Sequence, residues 1–375
     1  MKFVVSSQEL LSYLQIVSRV ISSKNTLPIL DNFLFNLNKK ELEITASDIE
    51  STLSTKITLE NASEEGLIAV PARLLLDTLK EFPEQPLTFD IDTDKNTIVI
   101  NSENGKFSLA GQNGMDFPKI PVLKDDSNSI TVEKSVMLQG INNTIFATAD
   151  DELRPVMNGI FVELSANDIT FVASDAHKLV RYKRTDIDTG VNASFILSKK
   201  PSNILRNVLP KEEGMVKLEF DSKNVVVTSG SYKLVSRLVE GNYPSYNAVI
   251  PTENPNKLII DRVEFYNSLK RVSVFSNQAS NLIKLELTGN QVTISAQDID
   301  FSISAYERLN CQYDGDEMEI GFKSAFLVEI LSNIASADVI MEMSDPSRAG
   351  ILTPAEKENE SEHVLMLLMP MMVNN

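Results

Sequence analysis

Apolar positions along the chain follow one programme performed three times. Residues 2–5 read as a short strand and lead into Leu10, Leu14, Val17 and Ile21, a spacing that lays one apolar stripe on a helix of 3.6 residues per turn. The same opening recurs at 130–132 with Leu138, Ile141 and Ile145, and again at 258–260 with Phe265, Leu269 and Val272. Paired strands come next each time: 33–37 with 42–45, 160–164 with 169–172, and 283–287 with 291–294. The intervening Asn38-Lys39-Lys40, Ala166-Asn167-Asp168 and Gly289-Asn290 suit hairpins. A second helix is expected at Leu75, Leu79 and Phe82, at Ile204, Leu205 and Val208, and at Leu327, Ile330, Leu331 and Ile334. Hairpins such as 87–91 with 97–100 and 216–220 with 224–227 close the units, so each reads as a strand, a helix and three strands, twice over.

A short acidic motif keeps step with this pattern. Thr45-Ala46-Ser47-Asp48, the middle stretch 171–179 with its Ser174-Asp175, and Ser295-Ala296-Gln297-Asp298 lie about 125 residues apart, enough for each copy to be a domain. The middle stretch looks like a binding site built on a repeat. Proline clusters at the same interval, at Pro118 and Pro121 and then at Pro244 and Pro251, and proline tends to sit at the ends of sheets. Three similar α+β domains are therefore expected at 1–125, 126–252 and 253–375, each with two helices and two small antiparallel sheets. The charged, aperiodic segment 354–362 reads as an exposed loop outside the core.

Composition narrows the class. A chain of 375 residues with 42% hydrophobic and 23% charged residues is long enough for two or three ordinary globular domains. The N-terminus lacks the apolar segment of a secretion signal, the apolar run 364–373 is interrupted by Pro370 and too short for a bilayer, and Cys311 has no intrachain partner, which together point to the cytoplasm. A net charge of −17 argues against nucleic acid unless the charge is segregated. Over the six helical stretches 7–24, 72–81, 133–148, 199–212, 261–275 and 322–336 there are 13 Lys and Arg against 8 Asp and Glu, so the helices are mildly cationic and the remainder strongly acidic. With His177, His363 and Cys311 alone, no typical zinc site can be built, and the 14 glycines form no phosphate loop, so no metal or cofactor is expected.

The motifs M-K-F at 1–3, T-L-P-I-L at 26–30, V-P-A-R at 70–73, M-N-G at 157–159, S-D-A-H-K-L at 174–179, L-V-E-G-N-Y-P-S-Y at 238–246, E-M-E-I-G-F at 317–322 and M-P-M at 369–371 come in an order that is highly specific. Over its whole length the chain resembles the bacterial DNA polymerase III beta subunit family, the sliding clamps. That resemblance implies a non-enzymatic processivity factor: a head-to-tail homodimeric ring of six domains, with helices around a hole that encircles duplex DNA irrespective of sequence. The implied partners are the DNA polymerase III alpha subunit, the clamp loader delta subunit and other proteins carrying a clamp-binding peptide, with no membrane involved.

Residue by residue, the resemblance puts a peptide groove at Met157, Ser174, Ala176, His177, Lys178, Leu179, Pro244, Val249, Leu368, Met369, Pro370 and Met371. The chain departs from the family pattern at Ala176, Lys178 and Ala248, where glycine, arginine and arginine are common. Read on composition alone, 367–371 is equally a C-terminal core strand, although flexible methionines suit varied partners. The implied DNA contacts are Lys24, Arg73, Lys199 and Lys200, with Arg154, in the loop 150–156 just after the acidic stretch 150–152, added to them. Lys199 and Lys200 open a helix, against its dipole preference. The implied dimer contact brings Phe107 and Leu109 to Val274 and Phe275, with Lys106 facing Asp298 or Asp300. Two other classes stay open: a hydrolase built on Asp175 and His177, for which no nucleophile motif is present, and a monomeric repeat scaffold.

Overall fold

The computed structural model describes residues 1–124 and 126–373; the expected boundary at residue 125 and the last two positions, 374 and 375, lie outside the described residues. Among the described residues, six α-helices carry the amphipathic stripes. Helix α1, Ser7–Val17, begins where the Ser6 hydroxyl accepts the Glu9 N–H, and it buries Leu10, Leu14 and Val17. It then tightens into a 3₁₀ turn at Ser18–Val20 and Ile21 is extended, so the stripe ends a turn early and Lys24 sits in a loop rather than on a helix. Helix α2, Ala72–Lys80, follows Pro71 and buries Ala72, Leu75 and Leu79, leaving Phe82 beyond its end. Then come α3, Lys134–Thr144, α4, Lys199–Val208, α5, Arg262–Ser273, and α6, Ser324–Ser332, with Ile334 past the last turn. The Asp261 carboxylate accepts the Glu264 N–H at 2.7 Å and so starts α5. Helix α1 packs on α2, and α5 on α6.

Strands dominate the rest, in two compact units: Met1–Leu138 with Leu197–Val239, and Gln139–Ile196 with Glu240–Asn375. The first holds a five-stranded and a nine-stranded antiparallel sheet, the second a nine-stranded and a four-stranded one. The small sheets of neighbouring repeats have joined edge to edge. Ser51–Thr58 pairs with Tyr232–Arg237 in the first unit, and Lys178–Arg184 pairs with Glu362–Leu368 in the second, so each exposed row of N–H and C=O groups is satisfied by the next repeat. Lys106–Ala110 ends the five-stranded sheet and Ile303–Asn310 ends the four-stranded sheet, each with one side unpaired. The segment expected as the loop 354–362 is shorter than that: Pro354 closes the strand Gly350–Pro354, and Glu362 opens the strand Glu362–Leu368.

Aromatic rings fix the first core. Phe3 stacks on Phe89 with centroids 4.8 Å apart, both rings tilt against Phe35, and burial of each contributes roughly 2–3 kcal/mol. In the second unit Leu258, Phe265, Leu285, Phe322, Leu327, Met341 and Leu368 belong to one buried cluster.

The thrice-repeated aspartate has a shared task in this architecture. Asp48 Oδ1 accepts the N–H groups of Glu50 and Ser51 (3.1 and 2.7 Å), Asp175 Oδ1 those of His177 and Lys178 (both 2.9 Å), and Asp298 Oδ1 those of Asp300 and Phe301 (3.0 and 3.4 Å). Each closes a tight turn between consecutive strands through its own side chain. The repeat seen in the sequence is first of all a turn.

Candidate functional site

Four neighbouring strands, Gly159–Ser165, Asp168–Ser174, Lys178–Arg184 and Glu362–Leu368, present one apolar face in the second unit. In register, Phe161 stands opposite Val172, Val172 opposite Arg181 and Arg181 opposite Leu365; one step along, Ser174 faces Leu179 and Leu179 faces Leu367. Side chains two apart share a face. Val172, Leu179, Leu367, Tyr246 and Ala349 accordingly form a cluster of their own, with Phe161, Tyr243, Ile250 and Leu365 packed against it. Their sequence neighbours Ala173, Val180, Met366 and Leu368 point the other way, into the main core of the unit. Leu368 is therefore buried in that core, whereas Leu367, also buried, packs in the smaller cluster on the opposite face. A one-residue slip swaps the faces, and two adjacent leucines carry no alternation from which to read the register.

The walls come from three short segments. Tyr243 stacks on Phe161 at 4.8 Å, and the Tyr246 hydroxyl donates to Glu163 Oε2 at 2.6 Å; burial, reinforced by that carboxylate, pushes the Tyr246 phenol up to about 12. Tyr246–Val249 is a short 3₁₀ turn whose Val249 is 56% exposed, with Pro244 exposed just before it. Beyond Leu368 the chain is pinned: the Met369 N–H donates to the His177 carbonyl (2.9 Å) and the Met371 N–H to that of Gly321 (2.8 Å). Met369 is left 42% exposed, with Pro370 and Met371 half-buried. The segment 367–371 thus combines both readings, a core strand up to Leu368 and an accessible methionine run after it. Met157 and Ser174 are buried, and the Ser174 hydroxyl donates to the Lys178 carbonyl while accepting the Ala176 N–H.

The turn at Asp175 is spent on structure. Lys178 is buried, donates to Asp175 Oδ2 at 2.7 Å, pairs with Glu329 at 3.1 Å and lies over the Phe326 ring. Burial alone raises the Asp175 carboxyl, but the hydrogen bonds from the Lys178 ammonium and the backbone amides of Lys178 and His177 outweigh it and hold it below the ordinary carboxylate value. The His177 ring stacks along Phe326 instead of meeting this carboxylate. With both oxygens of Asp175 engaged elsewhere, the pair lacks the carboxylate-to-imidazole bond of a hydrolytic triad. Ala176 is exposed and takes a positive φ of 76°, the region that favours glycine.

The cationic candidates are scattered differently from one another. Arg73 opens α2 with a side chain 97% exposed and Asp77 3.9 Å away, and Lys24 is exposed in its loop. Lys199 and Lys200 do open α4, and the Lys200 ammonium donates to the Val20 carbonyl at 2.6 Å and pairs with Asp48, which accounts for a cation at that helix end. Arg154 pairs with Asp151 at 2.7 Å.

Of the interface candidates, Lys106 and Phe107 are exposed on the edge strand Lys106–Ala110, with Phe107 edge-on to Phe82, whereas Leu109 turns inward and is buried. Val274, Phe275 and Asp300 are exposed. Asp298, expected to face a partner, is only 2% exposed because it caps its own turn. Phe161, Arg181, Tyr243 and Leu367 share the face of Leu179 although the expected set omits them; the signal for this in the sequence is the two-residue alternation through Leu179 and Arg181.

Models of the DNA polymerase III beta subunit match the sequence in three consecutive parts: the N-terminal domain at residues 1–121, the central domain at 131–245 and the C-terminal domain at 247–371. The beta sliding clamp of Pseudomonas putida is 29% identical over 98% of this chain and 99% of its own length. Among solved structures, the Pseudomonas aeruginosa sliding clamp bound to griselimycin superposes with a TM-score of 0.94 at 26% identity over the whole of both chains. The Thermotoga maritima beta subunit does so with a TM-score of 0.91, also at 26% identity and full coverage. With three successive domain models accounting for nearly its full length and the fold of solved sliding clamps, the chain belongs to the DNA polymerase III beta subunit family and is a processivity factor, not an enzyme.

Proposed function

We propose that two copies of this chain close head to tail into a ring around duplex DNA and tether a DNA polymerase to its template. The three repeats, at 1–125, 126–252 and 253–375, each fill a sixth of that ring. The observation that carries this reading is the pair of open sheet edges. Lys106–Ala110 and Ile303–Asn310 each offer an unpaired ladder, with Phe107 exposed on one, Ile303 and Tyr306 on the other, and Val274 and Phe275 at the end of α5. Long edges with exposed apolar side chains are a hazard unless another chain covers them, and a heterologous contact used twice closes instead of growing into a filament. Lys106 then orients the contact toward Asp300.

Lys24, Arg73, Arg154, Lys199 and Lys200 supply phosphate contacts that carry no sequence information. Met157, Ser174, Ala176, His177, Leu179, Pro244, Val249, Leu367, Met369, Pro370 and Met371 form the peptide groove, which takes the polymerase alpha subunit, the clamp loader delta subunit and other clamp-binding proteins in turn; Lys178 supports its wall. Tethering raises the effective concentration of polymerase at the template, so rebinding outruns escape. Tethering at the template keeps the protein with the DNA, in the cytoplasm. None of the described helices is long and apolar enough to cross a membrane.

Topology supplies the test. Loaded by its clamp loader onto closed circular DNA, the protein should co-elute with the circle through gel filtration and leave it after a single double-strand cut. Retention that survives the cut, or sedimentation as a single chain, overturns the ring.

A further inference from the structure

We infer that Arg181 makes the groove selective for peptides that carry a carboxylate beside their apolar anchor. This rests on the groove reading above and adds a selectivity to it. The side chain emerges at the border of the apolar face, with Val172 opposite on one neighbouring strand, Leu365 opposite on the other and Phe161 one strand further, while the next rung carries Glu163, Lys183 and His363. Its Nε is buried without a hydrogen-bond partner, and its Nη1 reaches Asn247 Oδ1 only at a long 3.5 Å. Among the described residues Arg181 makes no ion pair. The nearby charges are already committed: Glu163 accepts from the Tyr246 hydroxyl, and Lys183 pairs with Asp168 at 3.0 Å.

The guanidinium is half-exposed, but its Nε–H, buried without an acceptor, has lost water and gained nothing in return. Its planar fork matches a carboxylate, which can take Nε and an Nη hydrogen together. Position decides where on the ligand that carboxylate belongs. Asn247 lies in the same 3₁₀ turn as the exposed Val249, so the fork is beside the apolar wall and one rung along from Leu179 and Leu367. Leu179 and Leu367 are themselves buried, so a free inorganic anion satisfies the fork but leaves the exposed Val249 and Met369 uncovered. A peptide with an apolar anchor and an adjacent Asp or Glu satisfies both.

The test uses the full-length protein and fluorescently labelled hexapeptides with Leu and Phe anchors, differing only in Asp or Asn at one position next to an anchor, with each flanking position tried in turn. At one position the Asp peptide should bind about tenfold more tightly at low salt, as expected for one bidentate charge-assisted pair. Arg181→Met keeps much of the apolar stem and should bring the two peptides within about twofold of each other, mainly by weakening the Asp peptide. Arg181→Glu should prefer a Lys peptide at that position. Equal affinity of the unmodified protein for Asp and Asn peptides at every position overturns the role of Arg181 while leaving the groove standing; failure of any peptide to bind overturns the groove itself.

Discussion

At Ala176 a single backbone angle sets a local cost. The turn at Asp175 needs a left-handed residue, and in this chain Ala176 supplies it at φ 76°, while Ile49 does so at φ 81° in the corresponding turn of the first repeat. An L side chain in that region is strained by roughly 1–2 kcal/mol relative to the right-handed form, and glycine is not. The hydrogen bonds that Asp175 and Ser174 direct into the turn hold Ala176 there. Ala176→Gly should therefore raise stability by about 0.5–1 kcal/mol in spite of the freer unfolded chain, read as a higher midpoint in thermal unfolding. A lower midpoint means that the Ala176 methyl group makes a packing contribution larger than the strain.

Two adjacent residues of the strand Glu362–Leu368 separate folding from binding. Leu368 faces the main core and Leu367 the groove face, so truncating each should fail in its own way. Leu368→Ala leaves a cavity in a packed core and should cost about 2–5 kcal/mol of stability. Leu367 is also buried, so Leu367→Ala should cost stability too, but it alone should weaken peptide binding severalfold, measured by anisotropy on the same preparations; unchanged peptide affinity refutes the assignment of faces. The same pair shows what the sequence could reveal. Period-3.6 stripes such as Phe265, Leu269 and Val272, and the spacing of the Asp48, Asp175 and Asp298 motifs, exposed the helices and the threefold repeat, because each is a local pattern. The pairing of Lys178–Arg184 with Glu362–Leu368 joins segments far apart in the chain, and no local pattern fixes that register. Spacing alone therefore does not tell Leu367 from Leu368, nor does it place Arg181, Phe161 and Tyr243 beside them. Asp298 is obscured for a related reason: a charged residue at a strand end reads as surface, although its own turn folds around it.

For the molecule as a whole, the question is whether DNA is held by charge or by closure. The chain carries a net charge of −17, and its candidate cations include Lys200 and Arg154, both already paired within the chain. A grip made of about four phosphate contacts loses roughly a hundredfold in affinity between 50 and 200 mM salt, because every contact made releases counterions. A closed ring needs no such grip, and its lifetime on an uncut circle should change little over that range. Val274 offers the means to tell the two apart. It is 74% exposed just after α5, so Val274→Asp should leave the fold of the chain intact, yet it places a carboxylate in the apolar contact proposed between subunits. Desolvating that charge should weaken the dimer by a hundredfold or more and shift sedimentation toward a single-chain mass. The variant should then leave closed circles as readily as cut ones, with a salt dependence like that of linear DNA. If Val274→Asp sediments as a single chain and still stays on closed circles at 200 mM salt, closure is not what holds the DNA.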